Sequence, residues 1–264
     1  GHIVAYNMMR CLGRPKTLPV NITLNVTLRC NSRCTTCNIW KLYTKDPSKS
    51  NEELRLREWE KTFSSLGRTP VWYTLSGGEP FLREDLAELV ELICKCSDPQ
   101  IINIPTNCLC TRAIEKELPK ILEVCTKNET KLVLNLSLDG VKEIHDRIRG
   151  VNHNFEKVIE TYEIADRLRK DNHNLTLGIH TVISSHNLGS LRELFEYVST
   201  GLKPDSYIME VAEERVELGT IGSNITPSAE DYGRVIDLLH SYSKTSLRGD
   251  ISAVIESFRS LYYD

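Results

Sequence analysis

Val20-Asn21-Ile22-Thr23-Leu24-Asn25-Val26-Thr27-Leu28, continuing directly into Arg29-Cys30-Asn31-Ser32-Arg33-Cys34-Thr35-Thr36-Cys37, is the stretch from which the rest of the chain is read. Its first half alternates apolar and polar residues strictly, the period of a β-strand with one greasy and one polar face. Its second half carries Cys30, Cys34 and Cys37 as C-x3-C-x2-C, three thiols on one loop at the strand's carboxyl end. Three soft ligands this close suit an iron–sulfur cluster or zinc. Structural zinc and iron–sulfur clusters usually take four protein ligands, and no fourth follows locally. A four-iron cluster here would keep one iron open to a small molecule.

The alternation returns along the chain. Strand-like runs occupy 71–75, 101–105, 132–138, 175–183 and 206–212, and helical spacing of apolar residues marks 51–66, 84–96, 112–126, 155–169 and 188–199. Thr226-Pro227 reads as an N-cap with proline at the first helical position, opening a helix to about residue 243. Six β–α units in series imply a parallel sheet with right-handed crossovers. Strands buried on both faces of an open sheet read as continuous apolar runs, and these do not. Their polar faces need a lined cavity, so the expected fold is α/β, a partial (β/α)6 TIM-like barrel with parallel strands and outer helices. Residues 1–18 are then a lead-in, 19–245 the barrel, and 246–264 a helical tail whose amphipathic pattern over 251–263 suggests that the natural chain runs further.

Composition is that of an ordinary globular protein, 40% hydrophobic and 26% charged over 264 residues. A net charge of −3 and a pI near 6.2 give no electrostatic reason to expect nucleic acid or an anionic membrane as a partner. Nine cysteines, three of them in a metal-type triplet, point to a reducing compartment rather than a disulfide framework. No signal peptide and no apolar run long enough to span a bilayer is visible, so a cytoplasmic location is expected.

Ligands of parallel β/α folds bind at the carboxyl ends of the strands. There the chain places the cysteine triplet, Ser76-Gly77-Gly78-Glu79-Pro80, Thr106-Asn107-Cys108 and Ser137-Leu138-Asp139-Gly140 in turn. With the triplet after the first strand, Gly-Gly-Glu-Pro after the second and Ser-Leu-Asp-Gly after the fourth, the chain resembles the radical S-adenosylmethionine (radical SAM) enzymes from about residue 20 to 243. The resemblance implies that Cys30, Cys34 and Cys37 hold a [4Fe-4S] cluster whose open iron chelates S-adenosylmethionine. Reductive cleavage would then yield a 5′-deoxyadenosyl radical that takes a hydrogen atom from the substrate. It further implies that Gly77, Gly78 and Glu79 receive the methionyl amino group. Thr106, Asn107, Ser137 and Asp139 would contact ribose and the methionyl moiety, and Arg149 would pair with the carboxylate. An electron donor such as flavodoxin or ferredoxin is implied as partner, with a small-molecule or peptide substrate. No residue is singled out as catalytic toward it.

The sequence departs from the family pattern at Thr36, where an aromatic residue often lies against the adenine, and at Cys108, where many relatives have glycine. Trp40 is near enough to take over the adenine contact. Cys94 and Cys125 sit on predicted helices and read as small buried hydrophobes. No cysteine follows Cys125, so the C-terminal auxiliary-cluster extension of one large branch is not in this stretch. His180, Tyr73, Asn135, Tyr207 and Glu210 are candidates to line the cavity, and Phe258, Tyr262 and Tyr263 to cover the barrel. The competing class is a non-catalytic iron–sulfur or zinc protein that uses the barrel for binding or electron relay.

Overall fold

The computed structural model describes residues 20–246 apart from residue 69; the lead-in, the tail from 247 onward and with it Phe258, Tyr262 and Tyr263 lie outside the described residues. Six strands, β1 (Asn21–Thr27), β2 (Trp72–Gly77), β3 (Ile101–Thr106), β4 (Lys131–Ser137), β5 (Leu175–Ile183) and β6 (Ser206–Val211), form one sheet. Each pairs in parallel with the next, so spatial order follows sequence order. Among the described residues eight α-helices connect or follow them: α1 (Trp40–Lys45), α2 (Leu56–Leu66), α3 (Leu86–Cys96), α4 (Thr111–Lys127), α5 (Glu143–Arg149), α6 (Asn154–Asp171), α7 (Leu191–Glu196) and α8 (Ala229–Ser246). The sheet curves into the partial (β/α)6 barrel, with β1 and β6 as its two edges.

Register turns the sequence alternation into two surfaces. On the outer face Ile22, Tyr73, Ile102, Leu132 and Leu175 stand in one row, and Ile104, Leu134 and Leu177 in the next. These pack with Phe63, Leu89, Ile93, Leu118, Ile121 and Val158 of the helices into one apolar core. Each fully buried Leu or Ile contributes about 2 kcal/mol through area removed from water. On the inner face Thr23, Thr74, Asn103, Val133 and Thr176 share a row, as do Pro105, Asn135, Gly178 and Ser206, with Ser137, His180 and Ile208 nearer the rim. Asn135 Nδ2 donates to Asn103 Oδ1 at 2.8 Å, tying two of these strands together inside the lumen.

Two expected cavity residues face the other way. Tyr73 is fully buried on the outer face with its hydroxyl 2.7 Å from Ser97 Oγ, and Tyr207 lies against Phe195 with its hydroxyl 3.2 Å from Thr181 Oγ1. Strand parity explains it, since Tyr207 and Glu210 are an odd number of residues apart and take opposite faces. The last helix also starts later than Thr226-Pro227 predicts. Ser228 is the cap, with Oγ accepting from Asp231 N at 3.1 Å.

Candidate active site

The cysteine loop is held from two sides by backbone. From β2, Gly78 N donates to Thr27 O at 2.7 Å and Glu79 N to Arg29 O at 2.8 Å. This approach is what requires the paired glycines: a Cβ on Gly78 would sit 2.0 Å from Arg29 O, and Gly77 has φ +124°. From the far side, the last turn of α5 offers carbonyls that have no partner inside the helix. Arg33 N donates to Arg149 O at 2.9 Å and Thr35 N to Ile148 O at 2.8 Å. Glu53 adds a third clamp where β1 enters the loop, accepting from Thr27 Oγ1 at 2.6 Å, from Leu28 N at 3.0 Å and from the Tyr43 hydroxyl. Burial opposes the Glu53 charge, but these hydrogen bonds outweigh it and hold its pKa below the ordinary carboxylate value.

Glu79 and the turn after β3 form one unit. The Glu79 carboxylate is 1% exposed and accepts from Phe81 N (3.2 Å), Thr106 Oγ1 (2.8 Å) and Asn107 N (2.7 Å). Burial pushes its pKa up to about 7 against the pull of those donors. Asn107 then reaches the cysteine loop: Nδ2 lies 2.8 Å from Asn31 Oδ1 and 3.8 Å from Cys30 Sγ. The departure at Cys108 has a backbone reason. Cys108 has φ +66°, a conformation glycine adopts freely, and here the residue is also fully buried among the core side chains.

Asp139 is committed as completely as Glu79. Its Oδ1 accepts from Val182 N at 2.9 Å, its Oδ2 lies 2.7 Å from Arg149 Nε, and its main-chain O accepts from Asn187 Nδ2 at 2.9 Å. Its N–H donates to His145 Nδ1 at 3.1 Å, which requires that nitrogen unprotonated, and burial lowers the His145 pKa to about 4. Arg149 Nη1 lies 3.8 Å from Cys34 Sγ, whose other polar neighbour is Ser32 Oγ at 3.2 Å. Burial opposes the Arg149 charge, but Asp139 and Cys34 outweigh it and raise the pKa further. Ser137 is placed opposite His180 at the lumen rim, and His180 Nε2 lies 3.2 Å from Glu210 Oε2.

Of the three triplet thiols, Cys30 is pushed up to about 12 by burial, with Cys34, Glu79 and Cys37 adding to it, and burial raises Cys37 as well. Cys30 and Cys37 keep their protons until a metal displaces them. Among the described residues no three His, Cys, Asp or Glu side chains gather as for a single metal ion. In a four-iron cluster each cysteine takes a different iron, so the sulfurs stand wider apart than around zinc. Cys94 and Cys125 are buried on α3 and α4, as expected. Trp40 opens α1 with Arg33 Cζ 5.7 Å and Lys41 Nζ 5.3 Å from its ring centroid, so its π-surface already has cationic company. Glu53, Ser32, His145 and Asn187 were not apparent from the sequence; only the Ser-Ser-His-Asn turn at Asn187 carried a local signal.

Comparisons with known proteins bear on the family and the fold. Residues 24–198 match the family model described as the radical SAM superfamily. The GTP 3′,8-cyclase of Aquifex aeolicus is 30% identical over 109 residues, 41% of this chain and 32% of that protein. The PqqA peptide cyclase of Bradyrhizobium diazoefficiens is 28% identical over 165 residues, 61% and 40% respectively. The aligned region is thus less than half the length of each of these relatives. Among solved structures, anSMEcpe with bound AdoMet and a Cp18Cys peptide is similar with a TM-score of 0.60 and 21% identity, over 86% of this chain and 60% of that one. The AdoMet complex without peptide gives 0.62 at the same identity, over 86% and 61%. At that identity the likeness speaks for the fold, and the family match over residues 24–198 settles membership: the chain belongs to the radical SAM superfamily, a superfamily of enzymes.

Proposed function

We propose that Cys30, Cys34 and Cys37 hold a [4Fe-4S] cluster and that the chain cleaves S-adenosylmethionine reductively to abstract a hydrogen atom from a substrate in the barrel lumen. The observation that carries this reading is the bracing of the cysteine loop by Gly78 and Glu79 after β2, Asn107 after β3 and Arg149 in the last turn of α5. The donor set fits the group: three half-buried or buried thiols on one loop, two of them with a nitrogen donor at 3.8 Å. When bound, cluster and cofactor supply a 5′-deoxyadenosyl radical. The chain's own work is to hold the sulfurs and to position the cofactor. Gly77, Gly78 and Glu79 with Thr106, Asn107 and Ser137 form the wall for its methionyl and ribose groups. Arg149, anchored by Asp139, is the cation for its carboxylate. An external donor such as flavodoxin or ferredoxin supplies the electron.

For the substrate, the names of two relatives point to peptides and one to a nucleotide. Apart from Lys131 at the foot of β4, the inner face of the six strands mixes amides, hydroxyls and the His180–Glu210 pair with apolar residues such as Val133, Pro105 and Ile208, and has no lysine or arginine to meet a triphosphate. An uncharged polar substrate such as a peptide segment suits it better. No helix among the described residues is long and apolar enough to cross a membrane.

The test is anaerobic reconstitution with iron and sulfide, reduction with dithionite, and chromatography for 5′-deoxyadenosine after adding S-adenosylmethionine. Product from the unsubstituted chain and none from Cys30→Ala, Cys34→Ala or Cys37→Ala is expected. A full four-iron cluster without product would favour the non-catalytic reading, and product from any of the three variants would remove the cysteines from the site.

A further inference from the structure

We infer that Arg149 is a positioning residue that acts on the cluster through Cys34 and sets how readily the cluster accepts an electron, before any S-adenosylmethionine is present. This rests on the cluster assignment above and adds to it a second task for Arg149, separate from the cofactor's carboxylate. The guanidinium is divided in the structure. Its Nε edge is taken by Asp139 Oδ2 at 2.7 Å, and Nη1 points to Cys34 Sγ at 3.8 Å, the length of a weak N–H···S hydrogen bond. Asp139 is itself fixed by Val182 N, and the Arg149 carbonyl accepts from Arg33 N and Ser32 Oγ, so main chain and side chain of one residue grip the same three-residue segment, 32–34. Both Arg149 and Cys34 are 9% exposed, which leaves little water to screen the charge.

The ion pair does not cancel the effect. Asp139 and Arg149 together make a dipole whose positive end faces the sulfur. Reducing a cluster from its 2+ to its 1+ state adds one electron, and a cation or hydrogen bond at a ligating sulfur stabilises the more negative state. Arg149 therefore raises the reduction potential and eases the step that an external donor must drive. Ser32 Oγ, 3.2 Å from the same sulfur, works in the same direction once Cys34 is a thiolate.

The experiment is a dithionite titration of the reconstituted full chain, followed by the reduced-cluster signal in electron paramagnetic resonance, with no S-adenosylmethionine added. For Arg149→Gln we expect the reduction equilibrium to fall at least tenfold, about 59 mV for one electron. Arg149→Lys, which keeps the charge and loses the fork, should fall by less, and Ser32→Ala less again. Arg149→Gln titrating with the unsubstituted chain would overturn the inference; if that variant holds no cluster, Arg149→Lys titrating with the unsubstituted chain does so. A cofactor-only role for Arg149 predicts no difference in this titration and a difference once S-adenosylmethionine is added. Absence of any four-iron signal from the unsubstituted chain would instead overturn the cluster assignment on which the inference stands.

Discussion

The charged side chains that brace the cysteine loop from behind, Glu79, Asp139 and Arg149, are buried and committed, whereas those at the β6 edge stand in water. Asp139 and Arg149 have side chains 0% and 11% exposed, and their pair is braced by β5. Glu210 and Glu213 are 60% and 59% exposed, paired with His180 and Arg215, and Val216 in the loop beyond them is 78% exposed. A buried pair holds one geometry because separating it leaves an unpaired charge in a poor solvent, while an exposed pair has water as its alternative. One side of the barrel mouth thus holds its charges in one geometry, as the proposed cofactor site would require. The other leaves its charged side chains in contact with water.

That contrast can be broken by experiment. Asp139→Ala should be the costliest change, about 4 kcal/mol in urea unfolding, because it strands the Arg149 guanidinium; a loss below about 1 kcal/mol would show that the braced side is no more rigid than the other. The next effect is on pH. His145 is held neutral by burial, with a folded pKa near 4 against 6.5 in the open chain. Between these values the unfolded chain binds a proton that the folded one refuses, so stability present above pH 6.5 is lost as pH falls toward 4. The loss is on the order of 3 kcal/mol. Glu79, with a folded pKa near 7 against 4.5 in the open chain, works in the opposite direction over nearly the same window. His145→Gln should therefore make the urea midpoint rise more as pH falls from 6.5 to 4 than it does in the unsubstituted chain, and equal slopes would remove His145 as a cause. Glu210→Gln should be smallest, within about 0.5 kcal/mol, since the Glu210 side chain is 60% exposed and has water as its alternative partner. A larger loss in thermal unfolding would mean that the β6 side is structural after all.

What the sequence made legible follows the same division between local and distant causes. Period-2 alternation set the strand faces, and β5 has the bounds its pattern implied, 175–183, because side-chain direction in a strand is a local property. Helices α1 and α5, six and seven residues long, are too short to show a 3.6-residue period and were not anticipated. Yet α5 delivers Arg149. The strand-end motifs named loops that the structure brings against the cysteine loop, Gly78 and Glu79 among them. What those residues do to each other was hidden: Glu79 gripping Asn107, Glu53 gripping Leu28 and Asn154 donating to Asn107 O are contacts between residues 25 to 47 apart. A polar contact across such a distance leaves no spacing rule in either partner's neighbourhood.

The grip of α5 on the cysteine loop also orders events in time. Ser32 and Arg149 are 117 residues apart in the chain, and Thr35 and Ile148 are 113 apart. Neighbouring strands pair in sequence order, so the sheet can grow from its amino-terminal edge, but this clasp closes only after β4 and α5 exist. Cys30, Cys34 and Cys37 precede β4 and α5 in the chain, yet their loop is set only once both exist. Pulse-labelled hydrogen exchange should show the Arg33 and Thr35 amides protected later than those of β2 and β3, so that the loop proposed to hold the cluster would be finished only after β4 and α5 had folded.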